Sequence, residues 1–254
     1  MNIERILAPN SGPYTGEGTN TYLVGSGAEV VVIDPGPIVV QHRSAILEAL
    51  RDRTPVMVLV THTHSDHAPL ANPLASHLNV RTGGFGLGPG FKPDVILSDD
   101  EVVRFGSAEV RVVATPGHSR DHLCYLAGGA LFTGDHIMGG SSVLVEDMSA
   151  YMASLRKLQG LSLKTLYPGH GPAMHDPQMV IAGYLSHRMD RESQILAAVK
   201  SGAPSVGAIV EEIYALVDPE LHPLAAIAVR AHLAKLRDDS LVEFDADADR
   251  VAPR

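Results

Sequence analysis

Apolar and polar positions divide the chain into a strand-rich first two-thirds and a helical remainder. Asn20–Val24 and Val30–Ile33 are short apolar runs separated by Gly25-Ser26-Gly27, the pattern of a β-hairpin. Asp34-Pro35-Gly36-Pro37 then stops the second run. In Gln41–Arg51 the apolar residues Ala45, Ile46, Ala49 and Leu50 recur at helical spacing, and Val56–Val60 is a continuous run of the kind a buried strand shows. A short helix is expected over Asn72–Leu78, with an extended stretch over Asn79–Thr82. A second set of short strands follows at Val102–Phe105, Glu109–Ala114, Leu123–Leu126 and Ala130–Phe132, then a helix over Met148–Leu158 and a strand at Thr165–Tyr167.

From Pro177 the period changes. Met179–Lys200 reads as one long amphipathic helix closed by Ser201-Gly202-Ala203-Pro204. Helices over Ser205–Val217 and Pro223–Arg237 lead to a strand at Leu241–Phe244 and a second near Val251, the outline of a small winged-helix unit. Two β-rich halves with helices outside imply an α/β chain of the layered αββα kind. The expected division is a catalytic domain over 1–176, a connecting helix over 177–202 and a winged-helix-like unit over 203–254.

Composition narrows the function. Hydrophobic content of 45% and charged content of 19% describe an ordinary globular protein. A net charge of −9 argues against holding nucleic acid chiefly through a basic face. Acidic residues also outnumber basic ones in the C-terminal unit, so covering the site or making an oligomer contact suits it better than sequence-specific DNA reading. The single cysteine, Cys124, lies in an apolar run and excludes an intramolecular disulfide framework, which suits a cytoplasmic protein. Met1–Asn10 carries no secretory h-region, and no apolar run approaches the ~18–20 residues of a membrane helix.

The chemistry is concentrated after Val56–Val60, in Thr61-His62-Thr63-His64-Ser65-Asp66-His67. Buried histidines and aspartates lose free energy unless they find partners, and imidazole with carboxylate is a donor set for zinc or a similar metal. Three later turns each bring another ligand type: Thr115-Pro116-Gly117-His118, Gly134-Asp135-His136 and Pro168-Gly169-His170-Gly171. Together they supply His62, His64, Asp66, His67, His118, Asp135 and His170, enough for two metals. By contrast, Gly83–Gly90 (GGFGLGPG) lacks the Lys-Ser/Thr ending of a phosphate loop and reads as a mobile surface loop, with Phe85, Leu87 and Phe91 as an apolar flap.

In the order of these motifs, residues 15–175 resemble the metallo-β-lactamase superfamily. The resemblance implies one zinc on His62, His64 and His118 and a second on Asp66, His67 and His170, with Asp135 bridging. Manganese or iron remain open in place of zinc. It implies that Asp66 and Asp135 take part in catalysis and that Asp34 supports the metal loop. Two such cations can activate a shared water and polarise the scissile group.

The segments Gly18–Val24, Gly134–Gly140 and His187–Glu192 further resemble the lactamase-beta-like branch, which combines this domain with a C-terminal winged-helix-like unit. The branch contains a single-strand-specific endoribonuclease and thioesterases acting on acyl-carrier proteins. The expected activity is therefore hydrolysis of a thioester or phosphodiester, on a small anionic or thioester substrate or on single-stranded RNA. Weak β-lactam opening and a non-catalytic metal-bound scaffold are the other readings. Ala68-Pro69 departs from the branch, whose members often carry Ser-Gly there. Tyr22, Ser141, Ser142, His187 and Arg191 are candidate substrate-side residues. His122 and His136 read as neighbours of the site, and His42, His77, His175, His222 and His232 as surface or packing residues.

Overall fold

A computed structural model of the protein describes residues 1–139 and 143–254. The chain forms two compact units. One comprises Met1–Pro116, Asp121–Val143 and Leu161–Gln178; the other comprises Gly117–Arg120, Leu144–Gly160 and Met179–Arg254.

The first unit is built on two sheets. Strands β1 (Asn2–Leu7), β2 (Asn20–Ser26), β3 (Glu29–Ile33), β4 (Thr54–Leu59), β5 (Arg81–Gly84) and β6 (Val95–Ile96) lie side by side in that order. β1, β2 and β3 pair antiparallel, whereas β3 to β6 run parallel. Parallel neighbours need a crossover; helix α1 (Val40–Ala49) supplies the one from β3 to β4, and α2 (Ala71–Leu78) the one from β4 to β5. The second sheet holds β7 (Val102–Phe105), β8 (Ala108–Ala114), β9 (Leu123–Ala127), β10 (Ala130–Gly134) and β11 (Thr165–Pro168), in the order β11-β10-β9-β8-β7. Only the β10–β11 pair in it is parallel.

Alternation along the strands divides the core. Tyr22, Val24, Val31, Ile33 and Leu59 pack with Val110, Val112, Leu123, Tyr125 and Phe132 in one buried cluster. Their sequence neighbours Leu23, Val30, Val32 and Val58 belong to another, with Ile46, Leu50, Leu74 and Ala75. Successive strand residues face opposite sides. With both sides covered, the strands read as unbroken apolar runs, which is why they are visible in the sequence.

The second unit contains α3 (Met148–Gln159), α4 (Pro177–Lys200), α5 (Val206–Ile213), α6 (His222–Asp238) and a hairpin of β12 (Val242–Asp245) and β13 (Arg250–Pro253). Ile195 and Val199 of α4, Ile209 and Val210 of α5, Val229, Leu233 and Leu236 of α6, and Val242, Phe244 and Val251 of the hairpin share one core. The Ser205 side chain accepts a hydrogen bond from Ala208 N and caps α5.

β1 has no strong sequence signal because it is an edge strand with an exposed or half-buried pattern. Two expectations need correction. α5 ends at Ile213, not at Val217: Tyr214 still packs on the core, but Leu216 beyond it is fully exposed, and Pro219 cannot continue a helix. The glycine-rich stretch starts as strand, since Gly83 and Gly84 pair with Val95 and Ile96. Phe91 is no flap; it is buried in the core, and its ring occupies the space a side chain on Gly84 would need. Phe85 and Leu87 are the exposed apolar residues of that loop.

Candidate metal centre

The ligand-type residues follow the C-terminal ends of strands. His62, His64, Asp66 and His67 lie just beyond β4, His118 beyond β8, Asp135 beyond β10 and His170 beyond β11. Loops at the carboxyl ends of parallel strands are where α/β sheets place ligands. Two groups of ligand atoms result. His62, His64, His118 and Asp135 offer atoms within 4.8 Å of one another, as do Asp66, His67 and His170.

Hydrogen bonds at Nδ1 fix the tautomer of four of these histidines. The Thr61 hydroxyl donates to Asp34 Oδ2 at 2.7 Å, so at 3.0 Å it can only accept from His62 Nδ1. His67 Nδ1 donates to the same Asp34 Oδ2 at 2.9 Å. His170 Nδ1 donates to Gly18 O at 3.1 Å, and His118 Nδ1 to Leu144 O at 2.7 Å. Each of these rings therefore keeps an Nε2 lone pair for a ligand, the arrangement that carboxylate or carbonyl partners impose on metal-binding histidines. His64 is turned the other way, with Nδ1 2.9 Å from His62 Nε2.

The remaining ligand-type atoms converge. His67 Nε2 lies 3.3 Å from His170 Nε2 and 3.3 Å from Asp66 Oδ2. Asp66 Oδ2 is 3.1 Å from His170 Nε2. Asp135 Oδ1 lies 3.4 Å from both His67 Nε2 and His170 Nε2, while its Oδ2 is 4.0 Å from His62 Nε2. Lone pairs aimed at each other across such distances repel unless a proton or a metal ion lies between them. Without metal, protons must do this. Burial opposes charge on His67, yet the Asp135 and Asp34 carboxylates hold its pKa well above the usual value. Burial likewise opposes charge on His170, but Asp135 and Asp66 raise it to about 9. Asp66 and Asp135 are drawn below the ordinary carboxylate range by these histidines, again against burial. Borderline divalent metals suit this imidazole-rich donor set with two carboxylates. The residues fit the pair of ions.

Supporting residues hold the ligand-type side chains in place. Thr61 N also donates to Asp34 Oδ1 at 2.7 Å, so one carboxylate orients His62 through Thr61 and His67 directly. Asp34 adopts φ +50 to do so. Asp135 N donates to His122 Nε2 at 3.2 Å, which leaves the His122 proton on Nδ1, facing Thr115 Oγ1 at 2.9 Å. His122 also stacks on His62, and His136 is buried beside it. His42 is buried behind the Asp34 turn and donates from Nε2 to Thr21 Oγ1, whose own proton goes to Asp34 O. Burial lowers its pKa to about 4, so it is neutral there.

The candidate substrate residues have their own surroundings. Tyr22 is buried between the sheets, and its hydroxyl donates to Pro168 O at 2.7 Å, so it fixes the turn that carries His170. Burial raises its pKa far above the phenol value. His187 is exposed on α4. The Arg191 guanidinium lies 4.3 Å over the Tyr214 ring and donates to Gln194 Oε1 at 2.9 Å, partners within its own unit. Ser141 and Ser142 lie outside the described residues.

Residues 14–170 match the metallo-beta-lactamase superfamily profile. The chain belongs to this superfamily. It is a hydrolase of the metallo-beta-lactamase fold, and residues 205–250 match the beta-lactamase associated winged helix domain. An atrochrysone carboxyl ACP thioesterase of Aspergillus chevalieri is 32% identical, over 96% of this chain and 83% of its own. A beta-lactamase-like protein 2 homolog of Drosophila melanogaster is 32% identical, over 97% of this chain and 91% of its own. A metallo-beta-lactamase family protein of Thermus thermophilus superposes with a TM-score of 0.81 at 20% identity, covering 99% of this chain and 98% of that one, and so shares the fold. Among the described residues, no helix is long and apolar enough to cross a membrane.

Proposed function

We propose that this superfamily hydrolase binds two zinc ions and cleaves a small thioester, the acyl group and the thiol leaving separately. One observation carries the two-metal reading: Asp135 turns Oδ1 toward His67 and His170 and Oδ2 toward His62, so a single carboxylate faces both ligand groups. His62, His64 and His118 would hold the first ion, Asp66, His67 and His170 the second, and Asp135 both. When bound, paired divalent ions lower the pKa of water and polarise a carbonyl.

The chain's own groups do the rest. Asp34 keeps His62 and His67 in their ligating tautomers through Thr61 and directly. Asp66 is the more open of the two acids, its side chain 23% exposed against 10% for Asp135, so it is the one that attacking water reaches and that can take a proton from it. A thiol leaving group, with a pKa near ~8.5, departs without a dedicated acid, which favours a thioester over an ester or phosphodiester. The thioesterase relative, similar over nearly the whole chain, supports the same substrate class. The acidic balance of −9 suits a small substrate better than a long polyanion.

The test is a panel of acyl thioesters and labelled single-stranded RNA offered to zinc-loaded wild type and to Asp135→Ala. Thioester turnover that falls about a thousandfold or more in the variant, roughly 4 kcal/mol of barrier, is the expected result. Cleavage of RNA with inert thioesters overturns the substrate assignment and leaves the metal assignment standing.

A further inference from the structure

The Gly18–Tyr22 segment is the motif whose chemistry the ligand set alone does not explain. It lies against both sides of the second ligand group. Gly18 O accepts from His170 Nδ1, and Asn20 N donates to Gly169 O at 2.8 Å. The Asn20 side chain donates to Pro168 O and Gly171 O, both at 2.9 Å. Between them, the buried Thr19 hydroxyl donates to Asp66 Oδ2 at 3.1 Å, the oxygen that also faces His67 and His170. Thr19 is itself pinned: Asn10 Nδ2 donates to Thr19 Oγ1 at 2.9 Å, and Thr19 N donates to Asn10 Oδ1 at 2.9 Å. With the Asn10 amide filling an acceptor position, the hydroxyl proton has one direction left, toward Asp66. Gly18 makes this approach feasible, because at φ +141 a side chain there would lie 2.0 Å from Ala8 O.

We propose that Thr19 is a positioning residue for the second metal, fixing the Asp66 carboxylate through an Asn10–Thr19–Asp66 chain of hydrogen bonds. This rests on the two-metal reading above. Asp66 is the least buried member of its group, with a side chain 23% exposed while those of His67 and His170 are 0% and 6%. An open carboxylate on a surface-facing loop can turn away from a cation; the hydroxyl holds one oxygen in the direction of the two Nε2 atoms. The first ligand group is held by other groups: His62 is oriented from Asp34 by way of Thr61, and His118 by Leu144 O. Loss of the Thr19 hydroxyl should therefore loosen one ion and spare the other.

The test compares wild type, Thr19→Val and Thr19→Ser by zinc competition against a graded chelator, with cobalt(II) absorption as a second readout and thermal melting as a check on folding. Valine keeps the shape and removes the donor; serine keeps the donor. The expected result is that Thr19→Val binds its second equivalent about 10- to 100-fold more weakly, retains the first at wild-type affinity and changes the cobalt bands of one site, while Thr19→Ser behaves as wild type. Asn10→Ala, which frees the hydroxyl to rotate, should shift the same second equivalent by less. Equal weakening of both ions in Thr19→Val, or two equivalents at wild-type affinity, overturns the proposal. If Thr19→Val does not fold, unchanged second-ion affinity in Asn10→Ala overturns it. Wild type that binds fewer than two ions removes the two-metal reading instead, and so distinguishes that failure from this one.

Discussion

Two regions of the molecule bury histidine beside carboxylate, and they do so to opposite ends. In the metal centre, His67 and His170 face Asp66 and Asp135 with every Nδ1 already committed, and both rings are pushed above the ordinary imidazole range. In the C-terminal unit, His232 is also fully buried, with Nδ1 3.6 Å from Glu192 Oε2. Glu192 Oε1 there takes Lys235 Nζ at 2.9 Å, and Lys235 also pairs with Asp239 at 2.7 Å. Burial, which Glu192 does not offset, leaves His232 below the imidazole range. The second cluster contains its own cation. The first balances its carboxylates with protons on His67 and His170, which a metal ion can displace. Burial alone does not mark a functional histidine; the balance of charge around it does.

The comparison breaks first at Asp34. Asp34→Asn removes the charge that His67 Nδ1 and Thr61 share, leaving buried donors without a full partner. The expected cost is about 3 kcal/mol of stability, read by denaturant unfolding of the metal-free protein, with metal affinity down about 10- to 100-fold. A variant that retains wild-type metal affinity would show that Asp34 is only a turn residue.

The next effect is in pH. The His170 pKa of about 9 in the metal-free protein lies above its unfolded value of 6.5. Its contribution to stability is thus full below about 6.5 and is lost as pH rises through about 9. The melting temperature of stripped protein should fall across that window. Metal displaces the same proton, so its affinity should rise with pH over that range, with protons released on binding. Calorimetry in buffers of different ionisation enthalpy measures the release; none at pH 7 would contradict the proton assignment.

The smallest effect is expected in the other region. Glu192→Gln should cost about 1 kcal/mol, the scale of a partly buried ion pair, with metal content and turnover unchanged. A loss of bound metal there would mean that the C-terminal cluster serves the site and is not self-contained.

The difference between the regions also explains what could be read from the sequence. His62, His64, Asp66 and His67 lie within six positions after an apolar run, and His118, Asp135 and His170 each follow a strand with a glycine beside them, so local spacing marks the candidate ligands. Thr19 and His42 were illegible. They act across 47 and 21 residues of chain, on Asp66 and Thr21, through contacts that only the folded sheet brings together. Tyr22 shows the reverse. Its side chain looks suited to a substrate, yet the fold buries it and uses it to hold the Pro168 turn. β3 and β4 were legible because both faces are buried, and β1 was not because it is an edge.

The most direct measurement is a zinc titration of chelator-stripped protein, with bound metal and thioester hydrolysis read at every addition. The account predicts two equivalents bound per chain, negligible hydrolysis before addition and full turnover only as the second site fills. Saturation at one equivalent, or undiminished hydrolysis by the stripped protein, would contradict it.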